Sequence, residues 1–378
     1  MIPDAARHAA RCFAGFADAP VLPNAKGWSQ VPAGFSGSAV YRVVDPRGGA
    51  WSLKQLTASA SVSHVKAIHQ TLLHVRRAGC DWVAGPNHLA GNPAQTVADL
   101  GTLGCWEMTR WMPGRSYSDI DRFTVSPDEA AKVLVAGCRA IASFHNATAS
   151  MLHQNGPAPS VIDRIKRLDS LSSSILSTCD DAGDKIRTLN ISPTVAPELL
   201  QACHQVTADW PTFAWQIRND LEQRAGEVTP LQWVVRDIHR GHLLFADDAG
   251  SLSTAAKPTV SGMIDFDAMR LDTPAADLAR WIGDFLFLAI FHGDAAADIA
   301  ARFWQAGLAE YRQICSFSHQ QQTLCWTLVR SSSLISLANW VDWILQQRRR
   351  FSAADSAIAQ RLVALNQQWT VVRQATDR

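Results

Sequence analysis

Apolar positions along the chain follow two periods, and the dominant one changes near residue 111. Before that point short runs prevail. Residues 39–44 and 50–56 are two such runs, joined by Asp45-Pro-Arg-Gly-Gly49, and they predict a β-hairpin. Residues 61–78 carry Val62, Val65, Ile68, Leu72 and Val75 at helical spacing, with Gly79 placed to end the helix. Thr96-Val97 and residues 105–111 read as further strand pieces, and Met112-Pro113-Gly114 breaks the pattern.

After the break helical periods dominate. Ser126-Pro127-Asp128-Glu129 is a capping box that opens a helix striped by Val133, Leu134, Ile141 and Phe144 and running to about His145. Two or three helices are expected over 159–223, with loops near 180–184 and 193–197. Residues 281–378 read as almost wholly helical, with Trp304, Trp326, Trp340, Trp343 and Trp369 at core-like positions. Two runs interrupt this. Residues 231–235 are mostly apolar and lead to Asp237; residues 262–264 are apolar and lead to Asp265. Strands that stop at carboxylates predict a site built at strand ends. The division drawn is a sheet-rich domain over 1–111 with a leading helix, and a helical domain over 112–378.

Composition changes little in this picture. The 378 residues and 47% hydrophobic content suffice for one large or two modest domains. A formal net charge of +1 gives no field to favour nucleic acid or an acidic membrane surface. Eight cysteines without a C-x-x-C pair point to reduced, buried thiols and a cytoplasmic protein. The Ala-rich start lacks a signal-peptide pattern and is expected to form an amphipathic helix on the first domain.

The candidate chemistry is phosphoryl transfer. It needs a carboxylate for the attacking hydroxyl, a metal on the phosphate oxygens, and a cation or backbone amides on the other phosphates. Asp237 and Asp265 supply carboxylates, and Lys54, inside a strand-like run after a Gly34/Gly37 loop, supplies a cation. Asp237, His239 and His242 with Asp265 or Asp267 also admit a transition-metal hydrolase reading.

These residues stand in motifs. Val235-Arg-Asp237-Ile-His239-Arg-Gly-His242-Leu-Leu-Phe245 resembles the catalytic loop of the aminoglycoside phosphotransferase and choline kinase family, usually His-Gly-Asp-Leu-His-x-Gly-Asn. Val260-Ser-Gly-Met-Ile-Asp265-Phe resembles that family's metal motif. Pro274-Ala-Ala-Asp277-Leu-Ala and Trp111-Met-Pro-Gly114 resemble its later and hinge motifs. The resemblance implies an α+β, protein-kinase-like fold of two lobes, one small and β-rich, one large and helical. It implies a small-molecule kinase that moves the γ-phosphoryl of ATP or GTP to a hydroxyl of an alcohol or amino alcohol. Mg²⁺ is the implied cofactor, with Mn²⁺ as the variant choice.

By the same resemblance Asp237 is the catalytic base, Arg236 beside it is grouped with it as catalytic, and Asp265 and His242 are metal ligands. Lys54, Gly34, Gly37 and Ser38 bind nucleotide phosphates. Backbone groups near Arg110 and Met112 hold the base, with Thr109 or Met108 behind the ring. Asp277 braces the catalytic loop from a helix start. Asp267 is read either as an acid facing the site or as a solvated loop residue.

Three departures accompany the match. Val235 and Arg236 replace the His-Gly of the loop. His242 replaces the metal-binding Asn. The helix over 61–78 has no acid to pair with Lys54, and His69 or Gln70 is expected near it. They motivate an alternative, a pseudokinase that binds nucleotide or a partner without transfer.

Overall fold

A computed structural model describes residues 3–16, 27–31, 38–117, 126–151, 154–246, 258–286, 288–289, 295–351 and 353–376. Its chain groups into two compact units. One comprises Met1–Gly114, Ser261–Asp267 and Phe351–Ala353; the other comprises Arg115–Val260, Ala268–Arg350 and Ala354–Arg378.

The first unit is built on an antiparallel sheet. After helix α1 (Asp4–Arg11) come β1 (Ser29–Gln30), β2 (Val40–Val44), β3 (Ala50–Gln55), helix α2 (Val62–Arg77), β4 (Val97–Asp99) and β5 (Cys105–Arg110). The sheet order is β1-β2-β3-β5-β4. The hairpin joins β2 to β3, and Asp45 closes its turn by accepting from the N–H groups of Arg47 and Gly49. Side chains alternate faces along a strand. Tyr41, Val43, Leu53, Trp106 and Met108 point one way and bury against Ala6, Ala9, Ala10, Phe13 and Phe16 from the N-terminal segment. The Ala-rich stretch is therefore a helix whose small residues pack on the sheet. On the opposite face Lys54 stands directly across from Glu107. Residues 261–267 join this unit through a parallel bridge between Met263 and Val83. The Met263 N–H donates to the Trp82 carbonyl at 2.8 Å, and the Ala84 N–H donates to the Met263 carbonyl at 3.0 Å.

The second unit is mainly helical. It contains β6 (Arg115–Ser116), α3 (Pro127–Ala149), β7 (Gln154–Gly156), α4 (Pro159–Ser172), α5 (Ile175–Asp180), α6 (Ala182–Thr188), α7 (Ala196–Ala225), β8 (Thr229–Val234) and β9 (Leu243–Phe245). Strand β10 (Val260–Met263) leads into the 261–267 stretch. After it come β11 (Arg270–Asp272), α8 (Ala275–Leu286), α9 (Ala296–Tyr311), α10 (His319–Val341) and α11 (Asp355–Thr376). The predicted capping box is present at Ser126 and Glu129, and α3 continues to Ala149, a turn past His145. Residues 159–223 fall in four helices, one more than expected, because the chain breaks at Ser173-Ser174 and again at Asp181.

Of the five tryptophans read as core, Trp340 and Trp369 are buried. Trp304, Trp326 and Trp343 are half-buried; Trp304 and Trp326 meet edge to face at 5.2 Å. Helix α8 seats against α3 at Gly137, where an added Cβ would lie 2.1 Å from the Trp281 ring. The Trp281 indole N–H donates to the Leu134 carbonyl at 3.0 Å. Among the described residues no helix is long and apolar enough to cross a membrane.

Candidate active site

In the first unit Lys54 meets the segment that ends in Asp265 and Asp267. Its ammonium donates to the Asp267 carboxylate and lies 3.8 Å from Asp265. Only 15% of the Lys54 side chain is exposed. Burial alone would pull the ammonium toward neutrality; Asp267, Asp265 and Glu107 outweigh it and leave the pKa above the ordinary lysine value. Asp267, ambiguous in the sequence, is thus a direct partner of Lys54. Asp265 sits at φ 63°, one of four described non-glycine residues with positive φ, and an aspartate tolerates that conformation better than most residues.

His69 and Gln70, expected near Lys54, part ways on α2, where Gln70 is exposed. His69 is buried on α2, and its ring is committed to Glu107 Oε2 at 2.9 Å and Thr96 Oγ1 at 2.7 Å. Its link to Lys54 runs through Glu107. At the end of β5 the Arg110 N–H donates to the Gly85 carbonyl at 2.8 Å, and the Trp111 N–H donates to the Ala50 carbonyl at 3.0 Å. The N–H of Arg110 is therefore committed to the Gly85 carbonyl, and Met112 is buried just beyond it. Thr109 faces Ser52 across the ladder, and Ser38 lies half-buried ahead of β2. Gly34 and Gly37 lie outside the described residues.

In the second unit the loop that follows β8 carries Asp237, and one face of α8 grips it at three points. Asp277, Arg280 and Asp284 stand at i, i+3 and i+7 and so share a helix face. Asp277 accepts the backbone N–H groups of Val235 (2.8 Å) and Arg236 (2.6 Å). Arg280 donates to Asp237 Oδ1 from Nε at 3.1 Å and Nη2 at 3.0 Å. Asp284 accepts from the Arg240 N–H at 3.0 Å and from its guanidinium at 2.9 Å. Other α8 residues, Leu278, Trp281, Ile282 and Phe285, are fully buried. Asp277 is itself held by His145 Nε2 at 2.9 Å, and His145 Nδ1 meets the Tyr311 hydroxyl at 2.9 Å. His145, which marks the expected end of α3, is the buried prop of that brace.

Arg236 occupies φ 66°, where a glycine would sit without strain. Its side chain turns to Asp163 (2.9 Å) and Asp272 (3.3 Å). Those ion pairs hold a conformation that costs of order 1–3 kcal/mol.

Asp237 is about half exposed. Burial would raise its pKa, but Arg280 foremost, then His239 and His242, hold the carboxyl below the ordinary value. His239 is driven the other way. Burial, reinforced by His242, pushes it well below the usual imidazole range, against the pull of Asp284. The ligand atoms of Asp237, His239 and His242 all lie within 4.8 Å of one another. Their hydrogen bonds distinguish the two rings. His239 Nδ1 accepts the Gly241 N–H at 3.0 Å. His242 Nδ1 meets the Asp237 carbonyl at 2.7 Å; a carbonyl only accepts, so His242 carries its proton on Nδ1 and its lone pair on Nε2.

The sequence model of the phosphotransferase enzyme family matches residues 27–317. The chain belongs to that family. Both aspartate motifs of the family member lie inside the match. No curated protein matches it in sequence. Among solved structures, an amicoumacin kinase in complex with AMP-PNP, Ca²⁺ and Ami aligns at TM-score 0.59 and 13% identity, over 93% of this chain and 90% of that one. An aminoglycoside phosphotransferase from Alicyclobacillus acidocaldarius aligns at TM-score 0.53 and 13% identity, over 96% and 97%. A microcompartment-associated aminopropanol kinase aligns at TM-score 0.52 and 13% identity, over 98% and 97%. The fold is the α+β, kinase-like one of these neighbours, with a β-sheet lobe and a helical lobe.

Arg280 and Asp284 were not singled out from the sequence. The signal was there: three charges at i, i+3 and i+7 on an otherwise apolar helix. Glu107 gave no such signal, because an acid in a strand is ordinarily a solvated one.

Proposed function

We propose that this phosphotransferase is a small-molecule kinase that moves the γ-phosphoryl of ATP or GTP to a hydroxyl of a small alcohol or amino alcohol. The grip of α8 on the Asp237 loop carries the reading. A carboxylate that is anchored, half exposed and held ionised is what an attacking hydroxyl needs. The structural neighbours support it, since one was solved with AMP-PNP and Ca²⁺ and another acts on aminopropanol.

In this mechanism Asp237 accepts a hydrogen bond from the acceptor hydroxyl and turns its oxygen toward the γ-phosphorus. As the new O–P bond forms, the bond to the β–γ bridging oxygen breaks, the nucleoside diphosphate leaves, and the hydroxyl proton passes to Asp237. Lys54 pairs with nucleotide phosphate oxygens, exchanging Asp267 for them. Asp265 and His242 would hold a divalent ion, whose chemistry is to neutralise and orient phosphate oxygens. An aspartate oxygen suits Mg²⁺; the imidazole Nε2 is a softer donor that suits Mn²⁺ better. Arg236, paired with Asp163 and Asp272, is assigned with Asp237 to the catalytic loop. Ser38, the Arg110 and Met112 backbone and Thr109 are assigned to the nucleotide, with Gly34 and Gly37 ahead of them.

The test is a phosphate-transfer assay over a panel of small alcohols and amino alcohols. Asp237→Asn should lower kcat by about 10²–10⁴-fold while nucleotide still binds. An unchanged rate removes Asp237 as the base. The imidazole of His242 favours one second reading, a nucleotide-binding pseudokinase. It forecasts nucleotide binding with no transfer to any member of the panel.

A further inference from the structure

We infer that Glu107 is the acid that orients Lys54 for nucleotide phosphates, and that His69 and Thr96 lock Glu107 in place. The inference rests on the nucleotide-binding reading of Lys54. In kinases the partner of this lysine is a helix glutamate. Helix α2 offers none: from Val62 to Arg77 it has no Asp or Glu. The sheet supplies the acid instead. Lys54 on β3 and Glu107 on β5 are directly opposed in an antiparallel pair. Directly opposed side chains share a face, with Cβ atoms about 4.5–5.5 Å apart. The alternation agrees, because Leu53, Trp106 and Met108 all enter the core on the other face.

Glu107 is also the best anchored of the acids around Lys54. Its side chain is 12% exposed, against 47% for Asp265 and 53% for Asp267. His69 Nε2 lies 2.9 Å from its Oε2, and His69 Nδ1 lies 2.7 Å from the Thr96 hydroxyl. A ring that donates from Nε2 to the carboxylate can accept the threonine O–H at Nδ1, so both ring nitrogens are used. Helix α2 thus still reaches the lysine, but at one remove: its imidazole fixes a carboxylate carried by the neighbouring strand. The other two acids cannot hold this post during binding. Asp265 is the proposed metal ligand, and Lys54 must leave Asp267 to meet phosphate. Glu107 remains, fixed on the sheet, when both have been given up. It is a positioning residue and touches no reactant.

The test compares ATP·Mg²⁺, ADP·Mg²⁺ and adenosine binding in the full chain by calorimetry. Glu107→Gln should weaken both phosphorylated ligands about tenfold, the equivalent of about 1.4 kcal/mol, and leave adenosine unchanged. In kinetics the nucleotide KM should rise while the acceptor KM stays constant. In a Lys54→Met background Glu107→Gln should add nothing, because its effect runs through the lysine. His69→Gln, which leaves the sheet and Glu107 intact, should shift the phosphorylated ligands in the same direction and serves if Glu107→Gln melts early. Loss of adenosine binding in step with ATP, or ATP binding within twofold of wild type in both variants while Lys54→Met is weakened, overturns the inference alone. Full ATP affinity in Lys54→Met overturns the nucleotide reading of Lys54 and the inference with it.

Discussion

His242 has its proton fixed on Nδ1 by a backbone carbonyl, so it offers a nitrogen where the family loop usually offers an amide oxygen. Nitrogen donors gain more from Mn²⁺ than from Mg²⁺. His242→Asn should therefore change metal preference rather than fold. The ratio of Mn²⁺-supported to Mg²⁺-supported ADP affinity, measured by calorimetry, should fall several-fold in the variant; an unchanged ratio removes the imidazole from the metal. Asp237 yields a second prediction. Arg280 is the strongest of the groups that hold its carboxyl below the ordinary value, against burial. Removing that charge leaves burial less opposed, so the pKa rises. Arg280→Met should move the acid limb of the kcat/KM profile to higher pH, whereas wild type should keep its limb below the ordinary carboxylate value. A limb that stays put would separate Arg280 from Asp237.

Helix α8 fixes the loop as a unit, and its ion pairs should register in stability as well as rate. Asp284 is buried beside the Arg240 guanidinium. Burial would raise its pKa, and Arg240 foremost brings it well below the ordinary value. A carboxyl depressed in the folded state stabilises above its unfolded pKa, about 3.9, and loses that contribution as pH falls through the lower folded value. Asp284→Asn should cost about 1.5–3 kcal/mol of unfolding free energy at pH 7, because it removes the charge from the hydrogen bonds that Arg240 makes to this carboxylate. The gap between variant and wild type in urea melts should narrow only below about pH 4; a gap independent of pH would locate the cost in packing. At this scale the sequence was legible where a pattern is local. The capping box at Ser126, the β2–β3 hairpin and the stripe on α2 follow from neighbours in the chain. Asp277 was legible as a brace because it closes a motif; Arg280 and Asp284 left a charge pattern on α8 but not the identity of their partners, since Asp237 and Arg240 lie far back in the chain. Glu107 and His69 meet only once the register of β3 and β5 is set, and no single-strand pattern specifies a register. The length of α3 and the breaks near Ser173 and Asp181 depend on packing that outweighs local propensity.

The linear division near residue 111 assigns Asp265 and Asp267 to the second domain, whereas the fold groups 261–267 with the first unit. A parallel bridge to Val83 carries that stretch across, and a contact between strands so distant in sequence leaves no local trace. The grouping gives one unit Lys54, Asp265 and Asp267, and the other Asp237 and His242. A ligand that binds only the folded state stabilises it by RT ln(1 + [L]/Kd), about 2.7 kcal/mol at a hundredfold excess over Kd. Under the kinase reading, nucleotide and divalent ion should raise the melting temperature together by more than the sum of their separate effects. Asp265→Ala should lose that joint increment and keep whatever shift nucleotide alone produces. A transition-metal hydrolase built on Asp237, His239 and His242 would behave otherwise. It would carry stoichiometric zinc or iron through purification, lose melting temperature to a chelator, and gain nothing from nucleotide. Elemental analysis beside a thermal-shift series on wild type and Asp265→Ala separates the two. Tightly bound zinc with no nucleotide-dependent shift would end the phosphoryl-transfer reading of this site.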